Sequence, residues 1–232
     1  MEKKLYLETF DNGAGGWYAL DRDKGAYELL IKNGVVRCDG PWWIDYNHAP
    51  PGAGYINLLM GLYIKGPVCE SIRDIGGPNH FIEGGYSTNL TNTKLTFRVK
   101  GEMDLQGAHV CLLIQGYHED ICSGWILTGQ PINVTKEWSE QVITAVPDEK
   151  QWTALGSRHD RTDFYGVVDL KTILCNVNCN IYLILFPVNI VPKGPINGDP
   201  HILRAGKDYP VWQTRLPDGY VLVDTIKVEY PS

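Results

Sequence analysis

The segment from Trp42 to Tyr55, WWIDYNHAPPGAGY, contains the residue types that a carbohydrate site needs. A sugar ring has a C–H face that stacks on aromatic planes and a rim of hydroxyl groups that hydrogen-bond to polar side chains. Pro50 and Pro51 fix the backbone φ and so lower the ordering cost of binding. We therefore predict a preorganised saccharide site here. Its ligand-binding residues are predicted to be Trp42, Trp43, Asp45, Tyr46, Asn47 and His48.

The tryptophans of the chain are expected to divide between core and surface. Adjacent residues on an extended backbone point in opposite directions, so one of Trp42 and Trp43 should be in the core and the other exposed. The alternative for this segment is that one tryptophan fills the core and the polar residues solvate a turn. Trp138 borders a predicted strand and is expected to be structural. Further tryptophans next to predicted loops are candidates for stacking on sugar: Trp125, Trp152 and Trp212.

A second polar run, GSRHDRTDFYG at residues 156–166, gives the enzymatic alternative. His159 or Tyr165 could act as a base while Arg161 neutralises a carboxylate, as β-elimination from a uronic acid requires. These three residues would make the protein a polysaccharide lyase. Such a run in a β protein is also typical of a solvated loop. No G-x-S-x-G, phosphate-loop or H-E-x-x-H signature occurs, so a non-catalytic function is favoured.

The elements that position these residues are predicted to be β-strands. The 232 residues include 25 Gly and 14 Pro, and short apolar runs bounded by Gly, Pro, Asn or Asp recur along the chain. This pattern, without βαβ alternation, predicts one all-β domain over residues 1–232. We expect an antiparallel sandwich of about ten strands, a jelly roll. A helical period occurs at residues 169–177, where Leu170, Ile173 and Leu174 share one side.

Composition limits the function further. A net charge of -6 without a basic cluster gives no basis for nucleic-acid binding. No secretion signal opens the chain and no apolar run reaches about eighteen residues, so membrane insertion is not expected. Seven Trp and thirteen Tyr against five Phe favour surfaces that are both apolar and hydrogen-bonding. The six cysteines lack zinc spacing, and Cys175 and Cys179 could bridge a turn or stay reduced.

The stretches LETFDNGAGGW and GYVLVDTIKVEY, at the two ends of the chain, resemble the first and last strands of calcium-containing jelly-roll carbohydrate-binding modules. INVTKEWSEQVITAV and DLKTILCNVNCNIYLILF are similar to those modules and to laminin IV-type domains. The resemblance implies that the terminal strands lie side by side. It also implies a structural Ca²⁺ ion held by Thr9, Asp11 and Asp224. The alternative is that Asp11 makes an Asx-turn and Asp224 lies at a strand edge.

These observations predict a non-catalytic carbohydrate-binding domain whose partner is a poly- or oligosaccharide. An extracellular or cell-surface location is expected. A structural or adhesion domain without a sugar ligand, such as a phage or capsule surface component, is the remaining class.

Overall fold

The computed structural model describes residues 4–45, 55–64, 72–158, 161–189 and 215–231. These residues form two antiparallel sheets and two short helices, which confirms the predicted all-β sandwich. The helices are α1 (His80–Glu83) and α2 (Leu170–Cys175). The strands are β1 (Leu5–Glu8), β2 (Trp17–Asp21), β3 (Gly25–Glu28), β4 (Leu30–Lys32), β5 (Val35–Asp39), β6 (Trp43–Asp45), β7 (Tyr55–Tyr63), β8 (Lys94–Asp104), β9 (His109–His118), β10 (Ile121–Leu127), β11 (Ser139–Thr144), β12 (Trp152–Ala154), β13 (Asn180–Val188) and β14 (Asp218–Glu229). No helix in these ranges is long and apolar enough to cross a membrane.

The two sheets differ in size. The six-stranded sheet has the order β11-β8-β14-β5-β4, with β1 also beside β14. The eight-stranded sheet has the order β12-β10-β9-β13-β7-β2-β3, with β6 also beside β7. Along one side of the twelve-residue β14, Tyr220 lies opposite Asp39 of β5, and Glu229 lies opposite Leu5 of β1. The first and last strands are therefore neighbours, as the resemblance implies.

Burial differs between the sheets in a way that decides which surface meets solvent. On β8, Phe97 and Val99 are buried against the other sheet while Arg98 and Lys100 face outward, the alternation of a half-buried strand. On β7 all nine residues are buried. The outer face of the eight-stranded sheet carries its own apolar cluster, which includes Tyr18, Leu113 and Ile184. That sheet is thus covered on both faces.

Helix α2 confirms the predicted helical segment at residues 169–177. The Asp169 carboxylate caps it by accepting a hydrogen bond from Thr172 N at 2.9 Å. Its apolar side is buried, and the buried residues are Leu170, Ile173 and Leu174. The sequence just before it, FYGVVDL at residues 164–170, is an apolar run of the kind that predicts a strand. It forms only a single bridge from Tyr165 to Cys122 before the helix cap begins.

A buried carboxylate links β1 to α1. Glu8 is only 3% exposed, and its Oε1 accepts a hydrogen bond from Phe10 N at 3.0 Å. Its Oε2 lies 2.8 Å from Nδ1 of His80 and accepts a hydrogen bond from the Tyr6 hydroxyl at 3.4 Å. Gly15 has φ +60°, and a side chain there would collide with this carboxylate. The network therefore fixes the turn after β1 against the helix.

The His80→Ala substitution removes a hydrogen-bond partner of a buried carboxylate. We expect the free energy of unfolding in urea to fall by about 2 kcal/mol, because Glu8 stays buried with fewer partners. The matched control is His109→Ala, an exposed histidine on β9, which should change the stability by less than about 0.5 kcal/mol. Equal effects of the two substitutions would contradict the role of the Glu8 network.

Two buried thiols predict a loss of stability at high pH. Burial raises the pKa of Cys38 and Cys111 from the ordinary value of 9.0 to about 12. Above pH 9 the unfolded thiols ionise while the folded ones stay protonated, so the free energy of unfolding declines as the pH rises towards about 12. Urea unfolding across this pH range measures the slope. A Cys38→Ala/Cys111→Ala double variant should show a shallower decline, and an unchanged slope would contradict the assignment.

Candidate functional site

Three of the tryptophans predicted to stack on sugar lie in the core. Trp42, Trp125 and Trp152 are 1%, 7% and 5% exposed. The Trp125 indole N–H donates to the Val168 carbonyl at 2.8 Å, and that of Trp152 donates to the Val146 carbonyl at 2.9 Å. Rings with so little exposed surface offer no stacking face. This corrects the expectation for these three residues.

Trp43 and Asp45 are the described part of the predicted WWIDYNH site. Both are half-buried on β6, while Trp42 points into the core, as the period of an extended strand predicts. The Trp43 ring packs at the margin of the outer apolar cluster, where its Cζ3 would lie 3.8 Å from a Cβ at Gly25. Tyr46, Asn47, His48 and Trp212 lie outside the described residues. Sugar binding by this segment stays a prediction.

The geometry does not favour the lyase alternative. Tyr165 is 2% exposed and packs in a small cluster with Cys122 and Cys179. Its backbone forms a bridge with Cys122, and its ring is buried. The side chain therefore does not reach a polymer in solvent. Arg161 is exposed, with its guanidinium carbon 4.5 Å from the Phe164 ring centroid. His159 lies outside the described residues. The prediction that Tyr165 acts as a base on a polymer substrate is therefore wrong.

The structure distinguishes the two alternatives left open for Cys175 and Cys179. Cys175 is exposed at the end of α2, with its thiol 3.6 Å from the Thr91 hydroxyl. Cys179 is buried, and its sulfur accepts a hydrogen bond from the Asn180 side-chain amide at 3.1 Å. A bridge between Cys175 and Cys179 is therefore absent, and both thiols are free.

The predicted calcium ligands each have a protein partner. The Thr9 hydroxyl donates to the Asp11 carboxylate at 2.8 Å. The Asp224 carboxylate lies 2.8 Å from Nη1 of Arg98 and accepts the Thr225 hydroxyl at 2.8 Å. Across the described ranges no cluster of three or more His, Cys, Asp or Glu side chains could hold a metal ion. Since Arg98 already neutralises Asp224, these residues as placed do not fit a cation. The calcium site stays a prediction.

The outer surface of the six-stranded sheet, which we call the open face, carries Arg37, Arg98, Lys100, Trp138 and Tyr220. Trp138 immediately precedes β11, where Ser139 lies opposite Val99, so it sits beside Lys100. The guanidinium carbon of Arg98 is 4.8 Å from the indole centroid, and Lys100 Nζ is 4.9 Å from it. Cation–π contacts of this kind stabilise a partly exposed ring. Trp138 was expected to be structural; it is half-buried on the solvent side.

A second aromatic ring lies on the open face. Tyr220 is half-buried, and the Arg37 guanidinium carbon is 4.0 Å from its ring centroid. Arg37 is itself held by Asp39, with Nη2 2.7 Å from the carboxylate. Tyr220 lies opposite Glu102 of β8, two residues from Lys100. Strand geometry then puts the Cα atoms of Tyr220 and Trp138 roughly 12 Å apart.

A polar cleft of about 720 Å³ adjoins Tyr220 on the same side of the sheet. Its walls contain Glu102 and Asp104 from β8 and the cations Lys136 and Arg215. Arg215 Nη2 is 2.7 Å from the Asp104 carboxylate, and Lys136 Nζ is 3.5 Å from that of Glu102. Lys136 is two residues before Trp138 in the sequence. The volume is within the range of small-ligand sites, roughly 300–1,000 Å³. The cleft and the two rings form one surface.

Comparison with known proteins shows no family for this chain. The chain is similar to the solved L4b domain of human laminin alpha-2, with a TM-score of 0.40 and 8% identity over 98% of each chain. A similarity this weak carries no functional argument. No protein-family model and no curated protein matches the sequence. The structure shows a β-sandwich with paired terminal strands, and membership of a carbohydrate-binding family stays a prediction.

The calcium prediction has a direct test. If Thr9, Asp11 and Asp224 bind Ca²⁺, saturating CaCl₂ raises the thermal unfolding midpoint relative to EDTA, because the ion binds only the folded state. Asp224→Asn should remove that rise. The control is Asp218→Asn, which changes an exposed aspartate of the same strand and should keep it. A midpoint that does not respond to Ca²⁺ in the unmodified protein rules the site out.

Proposed function

We propose that the protein binds carbohydrate without catalysing its conversion, and that the sugar lies on the open face against Trp138 and Tyr220. The observation that carries this proposal is the combination on one sheet surface of two half-buried aromatic rings and a polar cleft of about 720 Å³. A saccharide needs both features, since it has an apolar C–H face and a rim of hydroxyl groups.

The rings are held before a ligand arrives. Arg98 contacts Trp138 and is anchored by Asp224, while Arg37 contacts Tyr220 and is anchored by Asp39. The supporting residues lie on paired strands, so their backbone positions are fixed by the sheet. A site that is already ordered loses less side-chain entropy on binding, which raises affinity.

The cleft supplies hydrogen-bond partners of both kinds. Glu102 and Asp104 offer acceptor oxygens, and Lys136 and Arg215 offer donor N–H groups. A sugar hydroxyl both donates and accepts, so alternating carboxylates and cations can satisfy several hydroxyls of one oligosaccharide. The roughly 12 Å between the ring positions allows contact with two separate sugar units.

The predicted segment around Trp43 is the second candidate surface. Its ring is half-buried at the opposite sheet and packs against the outer apolar cluster there. Trp43 therefore has one side occupied by protein, as Trp138 has. The two tryptophans make a matched pair of variants.

The Trp138→Ala variant is expected to lose roughly tenfold in affinity, since an aromatic contact contributes about 1 kcal/mol or more. The ligand is first chosen from a glycan array, and affinity is then measured by calorimetry. Trp43→Ala is the control and should bind within about twofold of the unmodified protein. Thermal unfolding of both variants checks that the fold is kept.

Two results would contradict this proposal. If Trp43→Ala loses binding and Trp138→Ala retains it, the binding site is at β6 and not on the open face. Failure of the unmodified protein to bind any member of a broad glycan array removes the carbohydrate function and leaves the structural or adhesion class.

A further inference from the structure

We infer that the open face selects acidic saccharides and that Lys100 binds their carboxylate or sulfate group. This inference rests on the proposed carbohydrate function. Lys100 Nζ lies 4.9 Å from the Trp138 ring centroid. In the described part of the chain no carboxylate lies within ion-pair distance of it. Its ammonium is therefore positioned by the indole and has N–H donors available to a ligand.

The neighbouring cations are already paired. Arg98, two residues before Lys100 on the same side of β8, is bound by Asp224 at 2.8 Å. Arg37 reaches this part of the sheet from β5 and is bound by Asp39 at 2.7 Å. On the cleft side, Lys136 pairs with Glu102 at 3.5 Å. Lys100 is thus the cation beside Trp138 that lacks a carboxylate partner within the described ranges.

Among the described residues, Glu140 is a carboxylate that faces this row and has no ion pair. It is exposed on β11 and lies opposite Arg98, diagonal to Lys100. Diagonal neighbours on a sheet are within reach of long side chains, but Glu140 and Lys100 form no ion pair in the described part of the chain, so the ammonium has N–H donors open to a ligand. The Glu140 carboxylate also repels a ligand anion that lies over β11. The anion is therefore directed towards Lys100.

An acidic sugar unit matches this arrangement in shape. A uronic acid or sulfated sugar has an apolar ring face and an anionic group at the ring edge. The anionic group can meet Lys100, whose Nζ lies over the Trp138 ring, while the apolar face of the sugar contacts the indole surface that Arg98 and Lys100 leave exposed. Because the whole chain has a net charge of -6, general attraction does not bring in a polyanion, and binding depends on this local site.

Matched polymers test the inference. The probes are dextran sulfate against dextran, and polygalacturonate against its methyl ester, with affinity measured at rising NaCl concentration. We expect at least one polyanion to bind more tightly than its neutral counterpart and to weaken as salt rises. The polymer pair that shows the difference identifies sulfate or carboxylate as the recognised group.

Lys100 variants locate the selectivity. Lys100→Gln should weaken binding of the polyanion about tenfold, the effect of losing one charge-assisted hydrogen bond, and leave the neutral polymer within about twofold. Lys100→Arg should retain the preference. The control Lys150→Gln changes charge equally at an exposed site beside β12 and should have no effect. Equal unfolding midpoints show that the variants are folded.

The outcomes separate the two proposals. Equal binding of charged and neutral polymers, or neutral binding alone, overturns acid selectivity and leaves carbohydrate binding standing. Equal weakening by Lys100→Gln and Lys150→Gln also overturns it, because the attraction is then nonspecific. Binding of none of the four polymers, together with an empty glycan array, overturns both.

Discussion

Burial of both faces of the eight-stranded sheet decides where this protein can meet a ligand. Tyr18, Leu113 and Ile184 point away from the space between the sheets and are still buried. The buried aromatic residues of that sheet, such as Tyr18 and Tyr182, are therefore used for packing. The six-stranded sheet keeps the alternation of a half-buried strand, with Phe97 inward and Arg98 outward. The open face is thus the extended strand surface left for recognition in the described part of the molecule.

The sequence predicted those elements whose own residues show the apolar pattern of a buried or half-buried strand or helix. The apolar runs of β9 and β13 and the alternation of β14 are visible without a structure, as is the buried side of α2. The strands β6 and β12 were missed, because segments of three residues carry no period of their own. They become strands by pairing with β7 and β10. The converse case is Tyr165, whose apolar neighbours resemble a strand and make only one bridge.

The site was harder to predict, because exposure of a tryptophan depends on distant pairing. The period of an extended chain correctly predicted that one of the two adjacent tryptophans, Trp42, is in the core. The other, Trp43, is half-buried and not exposed as expected. No local pattern distinguishes Trp125 from Trp138. Trp138 reaches the open face because β11 pairs with β8 and places it beside Lys100. The signal in the sequence was the pair Arg98 and Lys100, whose spacing indicates that one side of β8 faces solvent. A residue on a strand paired with that side, such as Trp138, is then a candidate for exposure.

Binding of the ligand to the open face is the central claim. The most direct measurement is a ¹H–¹⁵N NMR titration that follows the indole N–H signals of the seven tryptophans while an oligogalacturonate is added. We predict that the Trp138 signal moves in a saturable way while those of the buried Trp42 and Trp125 stay in place. Saturable binding that shifts the Trp43 signal and leaves Trp138 unmoved would contradict the account.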